Sequence, residues 1–246
     1  MTRVLFMHSG GFTSRQWKRL AKDLGGDHEV VSPDLIGYGA EPPWPGGTPF
    51  HFHRDVERLL TMLDEAPTHL VGHSYGGLLA TQVALARPSQ IRSIAVYEPV
   101  TFGVLGPEDA ETRAEIDTLP AYHYDPNEAD EEWLAGFVTW WQGPGAWERL
   151  APETQQAFRD VGWKLSQEVA SLSVDTTSRA TYATITAPTL VLGGALTQPA
   201  EMQVIQRLSA ALPNGTLKVF PGMGHMGPIT HGAEVNAEIA AFVRAH

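Results

Sequence analysis

Cysteine is absent from the 246 residues, so the chain has neither a disulfide framework nor a thiolate nucleophile. Basic residues are scarce: 17 Lys and Arg stand against 28 Asp and Glu, a formal net charge of −11. That balance argues against nucleic acid or an anionic membrane as partner and leaves a small-molecule substrate as the expected one. Long apolar runs are also missing, none approaching the about 20 residues that cross a bilayer. Met1 to Met7 is a strand-length apolar run with no longer hydrophobic region behind it, so no secretory signal is visible and the expected compartment is the cytoplasm. His51 and His53 form a His-x-His pair, but no Cys or carboxylate cluster accompanies them at metal-ligand spacing, and no metal site is expected.

What is present is ordinary for a globular protein: 43% hydrophobic and 18% charged residues, in a length that suits one α/β domain with one inserted subdomain. The chain is organised around Leu70-Val71-Gly72-His73-Ser74-Tyr75-Gly76-Gly77, where an apolar run meets a helix-like run through a serine with a glycine two residues away on each side. A chain that turns from strand to helix so sharply brings its neighbours against positions 72 and 76, where a side chain would collide. Thr68 to Val71 supplies the strand and Leu78 to Ala86 the helix, whose positive end faces the serine. Ser74 is therefore the expected nucleophile.

Other short strands are expected at Arg3–Met7, Glu29–Ser32, Ile91–Tyr97, Pro188–Leu192 and Thr216–Phe220, alternating with helices near residues 15–24, 52–65, 200–212 and 233–244. The turn-rich stretch His8 to Ser14 has glycines at 10 and 11 and lies after a strand, so its N–H groups suit a developing oxyanion. Asp34, also at a strand end, is read as a brace for the loop that follows it. Glu98 ends the strand after the nucleophile and is placed to reach the same rim. His225, in Gly222-Met223-Gly224-His225 just beyond the last strand, is the natural general base. Between residue 100 and residue 184 the parallel-strand runs vanish, and Trp133, Phe137, Trp140, Trp141, Trp147 and Trp163 concentrate in segments of helical period. This reads as an inserted helical lid, its rings divided between subdomain packing and the wall of an apolar pocket. The expected organisation is a core of residues 1–99 and 185–246 with a lid over 100–184.

Taken together, His8-Ser9-Gly10-Gly11 before Trp17, Pro33-Asp34-Leu35-Ile36-Gly37-Tyr38-Gly39, the Gly-His-Ser-Tyr-Gly-Gly turn, Pro188 to Leu192 and Gly222 to His225 resemble the α/β-hydrolase fold over essentially the whole chain. The resemblance implies a sheet of about six mostly parallel strands flanked by helices, since the two strands with which the family usually begins are missing here. It implies a triad of Ser74, His225 and an acid. In most relatives that acid is an aspartate a few residues after the strand equivalent to Leu190–Leu192. Here Gly193 to Pro199 contains no acid, and Thr197 occupies the place. Some members carry the carboxylate after the strand that follows the nucleophile, which assigns Glu98; a lid acid or a water-linked arrangement is the alternative, and Glu201 lies too far into the next helix. The oxyanion donors implied are the N–H groups of Gly10 and Tyr75, and the substrate-binding positions Gly11, Phe12, Trp140, Trp141 and Met226. The activity implied is serine-dependent hydrolysis of an ester, thioester or lactone of a small to medium apolar acid, with no metal or organic cofactor. The fold also hosts C–C hydrolases, lyases and non-catalytic binding proteins, and these readings stay open.

Overall fold

In the computed structural model, which describes residues 1–119, 124–125 and 130–246, the short apolar runs build one six-stranded sheet. Its strands are β1 (Thr2–Met7), β2 (His28–Val31), β3 (Thr68–His73), β4 (Ile91–Tyr97), β5 (Thr189–Gly194) and β6 (Gly215–Phe220). All pairings are parallel, in the order β2-β1-β3-β4-β5-β6. The chain leaves β1 toward β2 and returns past it to β3, so the winding direction reverses between β1 and β3. A reversal of this kind opens a crevice at the carboxyl ends of the two strands.

Eleven helices among the described residues complete the chain: α1 (Lys18–Leu24), α2 (His53–Leu60), α3 (Tyr75–Ala86), α4 (Ala110–Ile116), α5 (Glu131–Gln142), α6 (Ala146–Arg149), α7 (Pro152–Ser173), α8 (Arg179–Tyr182), α9 (Pro199–Ala211), α10 (Gly227–Thr230) and α11 (Gly232–Ala245). Alternation along the strands sends side chains to two cores. Leu5, Met7, Leu70 and Val96 face α2, α3 and α9, whereas Val4, Phe6, Val71 and Ala95 face α1 and α11. The helix after the serine, α3, is buried around its circumference, as a helix without a polar face must be.

Two boundaries differ from the sequence reading. The first helix opens with one 3-10 turn, Ser14–Trp17, because the Thr13 hydroxyl accepts the Arg15 N–H and tightens the start. The helix expected to run to residue 65 stops at Leu60, where Thr61 and Met62 donate only three residues back, to Arg58 and Leu59. Between β4 and β5 the described residues form helices joined by turns and no strand, and they have a core of their own: Trp133, Leu134, Val138, Trp147, Phe158 and Leu165. Residues 120–123 and 126–129, within the expected 100–184 insertion, lie outside the described residues.

Candidate active site

The strand-to-helix turn is as tight as the glycine spacing requires. A methyl group on Gly72 would sit 2.3 Å from the Gly76 carbonyl oxygen, and one on Gly76 would sit 2.2 Å from that of Met7. Ser74 itself takes φ 54° and ψ −120°, a left-handed conformation costing about 1–3 kcal/mol in a residue with a Cβ. Its N–H donates to the Tyr97 carbonyl at 2.9 Å, and its own carbonyl accepts from Gly77 and Leu78, which holds the turn against that strain. At the end of the neighbouring strand Glu98 repeats the device, with φ 41° and its N–H on the Leu192 carbonyl at 2.8 Å.

These two residues and His225 form one line. His225 Nε2 is 3.0 Å from Ser74 Oγ, and His225 Nδ1 is 2.7 Å from Glu98 Oε2, all three side chains buried. Glu98 is held from its far side: Gly194 N–H donates to Oε1 at 2.8 Å and the Thr197 hydroxyl to Oε2 at 2.7 Å. The Thr197 hydroxyl thus supplies a donor that fixes the Glu98 carboxylate. The imidazole is positioned twice more. The Trp141 ring stacks on it with centroids 3.8 Å apart, and Tyr97 Oη donates to the Gly224 carbonyl at 2.8 Å, anchoring the loop.

A relay that sequence reasoning missed ties three loops together. Ser9 N–H donates to Gln16 Oε1 at 3.0 Å, Gln16 Nε2 lies 3.0 Å from His73 Nδ1, and His73 Nε2 lies 2.9 Å from the His225 carbonyl oxygen. A carbonyl only accepts, so His73 carries its proton on Nε2 and accepts from Gln16. Burial holds the His73 pKa well below the ordinary histidine value, consistent with this neutral form. His8 is likewise buried and neutral: the Leu35 N–H donates to its Nε2 at 3.0 Å, and burial lowers its pKa to about 4. Asp34 braces as expected, accepting from Ser14 N–H at 2.7 Å and Ala40 N–H at 2.9 Å.

The N–H groups of Gly10 and Tyr75 have no partner among the described residues, and both residues line a cleft over Ser74. Tyr75 opens α3, so its free N–H stands at the positive end of that helix. Of the other expected binding residues, Phe12, Trp141 and Met226 line the cleft. Gly11 and Trp140 do not: Gly11 N–H turns to Tyr38 Oη at 3.3 Å, and the Trp140 indole bonds Thr118 Oγ1 at 3.2 Å. Most of the remaining wall is apolar and comes from α5 and α7, including Phe137, Val138, Phe158 and Leu165.

One part of that wall is charged. Lys164 of α7 bonds Asp55 of α2 at 2.9 Å and also Glu168 one turn along its own helix, and all three are buried. Tyr75 Oη donates to Asp55 at 2.9 Å, and Tyr38 Oη donates to Glu168 Oε2 at 2.8 Å. Burial pushes the Glu168 pKa up to about 7, against the opposing pull of Lys164. Nothing in the i,i+4 spacing of this Lys-Glu pair distinguishes it from one on a solvated helix face.

The sequence profile of the Alpha/beta hydrolase family matches residues 4–238. The chain belongs to that family. Among relatives, it is 30% identical over 179 residues to the lipase LipV of Mycobacterium tuberculosis, a match covering 67% of this chain and 62% of the lipase. It is 26% identical over 256 residues to the pimeloyl-[acyl-carrier protein] methyl ester esterase of Pectobacterium atrosepticum, covering 99% and 95%. A hydrolase structure from Pseudomonas aeruginosa PA01 superposes with TM-score 0.75 at 24% identity, over 98% of this chain and 89% of that one, and shares its fold. Family membership accounts for the sheet order and the serine turn.

Proposed function

We propose that the protein is a serine hydrolase that cleaves a carboxylic ester, thioester or lactone of a small to medium apolar acid through an acyl-enzyme on Ser74. The observation that carries this reading is the unbroken line Ser74–His225–Glu98, with contacts of 3.0 and 2.7 Å. His225 Nε2 takes the hydroxyl proton as Ser74 Oγ attacks the carbonyl carbon, and Glu98 holds the opposite N–H and offsets the charge that develops on the ring. The N–H groups of Gly10 and Tyr75 receive the oxyanion; losing one such donor typically costs about 2.7–4 kcal/mol in activation free energy. His225 then returns the proton to the leaving alcohol or thiol, and water attacks the acyl-enzyme with the same histidine as base. In this scheme the helices between β4 and β5 act as a lid, with the acyl group lying against α5 and α7.

The relatives named as a lipase and a methyl ester esterase favour ester chemistry. A C–C bond reading draws on a further relative, the 2-hydroxymuconate semialdehyde hydrolase of a Pseudomonas species, 26% identical over 92% of this chain. Hydrolysis of p-nitrophenyl esters from acetate to octanoate by the wild type and Ser74→Ala tests the proposal. Turnover by the wild type alone supports it. A wild type at background on every ester contradicts it and turns attention to vinylogous diketones.

A further inference from the structure

Among the described residues, the carboxyl of Glu168 is the one acidic group in an otherwise largely apolar cleft wall. Lys164 to Asp55, at 2.9 Å, fastens α7 to α2. Glu168 is presented instead toward the oxyanion loop: its Oε2 is only 2.9 Å from where a Cβ on Gly10 would stand. An ionised carboxylate has about four acceptor positions. Lys164 takes one on Oε1 and the Tyr38 hydroxyl one on Oε2, while Asp55, the other acid of the cluster, is engaged by Lys164, Tyr75 and the Ile36 N–H. Glu168 therefore retains acceptor capacity on the cleft side, beside the Gly10 N–H that the proposed mechanism assigns to the oxyanion.

A carboxylate in that position opposes negative charge developing on the substrate unless a donor stands between them. On the basis of the serine-hydrolase reading, we propose that the substrate carries a hydroxyl or amide N–H within about three atoms of the scissile carbonyl carbon, and that Glu168 Oε2 receives it. Glu168 is then a specificity-determining residue. A site built to accept from a substrate O–H or N–H rejects the analogue that lacks it, because the buried acceptor is left unpaired. An apolar cleft without such a carboxylate has the opposite bias, preferring methyl to hydroxyl.

The test uses pairs of esters in which a hydroxyl replaces a methyl. On the acyl side they are methyl 3-hydroxybutanoate against methyl 3-methylbutanoate, and methyl 2-hydroxybutanoate against methyl 2-methylbutanoate. On the alcohol side the pair is 2-hydroxyethyl butanoate against propyl butanoate. Rates are followed by pH-stat at pH 8, above the value of about 7 to which burial raises the Glu168 carboxyl. The wild type should favour the hydroxylated member of at least one pair by about tenfold or more in kcat/KM. Which pair responds says whether the donor belongs to the acyl or the alcohol half. Glu168→Gln should reduce that ratio several-fold, and the paired variant Lys164→Met with Glu168→Leu, which buries no unpartnered lysine, should reverse it toward the methyl ester. A purely structural Glu168 would move both members of a pair together and leave the ratio alone. Calorimetric binding of the same pairs to Ser74→Ala reads the preference without turnover. Failure of ester hydrolysis would thus appear as a wild type inactive on all six esters, whereas this inference is overturned by equal binding and equal kcat/KM within every pair, or by a preference that both variants keep.

Discussion

Replacing Glu98 with glutamine exchanges one carboxylate oxygen for an NH2 group and should nearly silence the proposed active site, for a reason that can be followed bond by bond. In the wild type Oε1 accepts from Gly194 N–H and Oε2 accepts from His225 Nδ1–H and the Thr197 hydroxyl. An amide has one acceptor and one donor end. The Gly194 N–H cannot rotate away, so the glutamine oxygen takes the Oε1 position and its NH2 faces His225 Nδ1. The imidazole must then accept at Nδ1 and carry its proton on Nε2, pointing at Ser74 Oγ, where it cannot act as a base. Locking the wrong tautomer in a triad of this design lowers kcat by about 10⁴. Side-chain volume is unchanged, so KM and the unfolding midpoint should stay close to those of the wild type. Steady-state hydrolysis of p-nitrophenyl butyrate, with Ser74→Ala as the floor, measures the effect. A Glu98→Gln enzyme that keeps more than about a tenth of wild-type kcat would refute the assignment of Glu98 and redirect the search to another acid.

Other consequences concern stability. Gly76→Ala would push a methyl carbon to 2.2 Å from the Met7 carbonyl oxygen, backbone against backbone, and should cost about 3 kcal/mol or more in urea unfolding; a loss under 1 kcal/mol would show that the turn is looser than described. Both Glu201 oxygens are buried without a partner among the described residues, and burial, followed by the nearby Glu98 charge, raises its pKa well above the usual carboxylate range. Glu201→Met should therefore stabilise the fold by about 1–3 kcal/mol, read as a higher melting temperature. Two buried groups give opposed pH dependences. Glu168, raised from 4.5 to about 7, contributes stability that is full below pH 4.5 and lost as pH rises through 7, about 3 kcal/mol in all. His8, lowered from 6.5 to about 4, contributes stability that is full above pH 6.5 and lost as pH falls toward 4, by a similar amount of about 3 kcal/mol. Urea titrations from pH 4 to 8 should show Glu168→Gln gaining on the wild type between pH 5 and 7; parallel curves would contradict the burial argument.

Much of this architecture was legible because its signals are local. The glycines around Ser74 answer a collision between backbone atoms a few residues apart or on the adjoining strand, so a short motif carries them. The strands were readable as apolar runs because a parallel sheet buried on both faces needs little polarity. The resemblance to the α/β-hydrolase fold, some of whose members carry the acid after the strand that follows the nucleophile, pointed to Glu98, whereas the Thr197 hydroxyl that holds its carboxylate is a contact between the segments that follow β4 and β5, with no trace in spacing. The tryptophans could not be sorted for a related reason. Trp133 and Trp147 pack the inserted helices, Trp141 covers the imidazole, and Trp140 faces away from the cleft, although the last two are neighbours in sequence. The Lys164–Asp55–Glu168 cluster was hidden most completely, because burial of a charged pair is decided by what packs over it.

In the proposed reaction Ser74 Oγ becomes acylated with His225 as its base. Intact-mass analysis of enzyme quenched in acid within the first turnovers of p-nitrophenyl butyrate tests it directly. One added butyryl group is expected, mapping to the peptide that contains Ser74, absent from Ser74→Ala and strongly reduced in His225→Ala. An adduct on another residue, or turnover in Ser74→Ala at the wild-type rate, would contradict it.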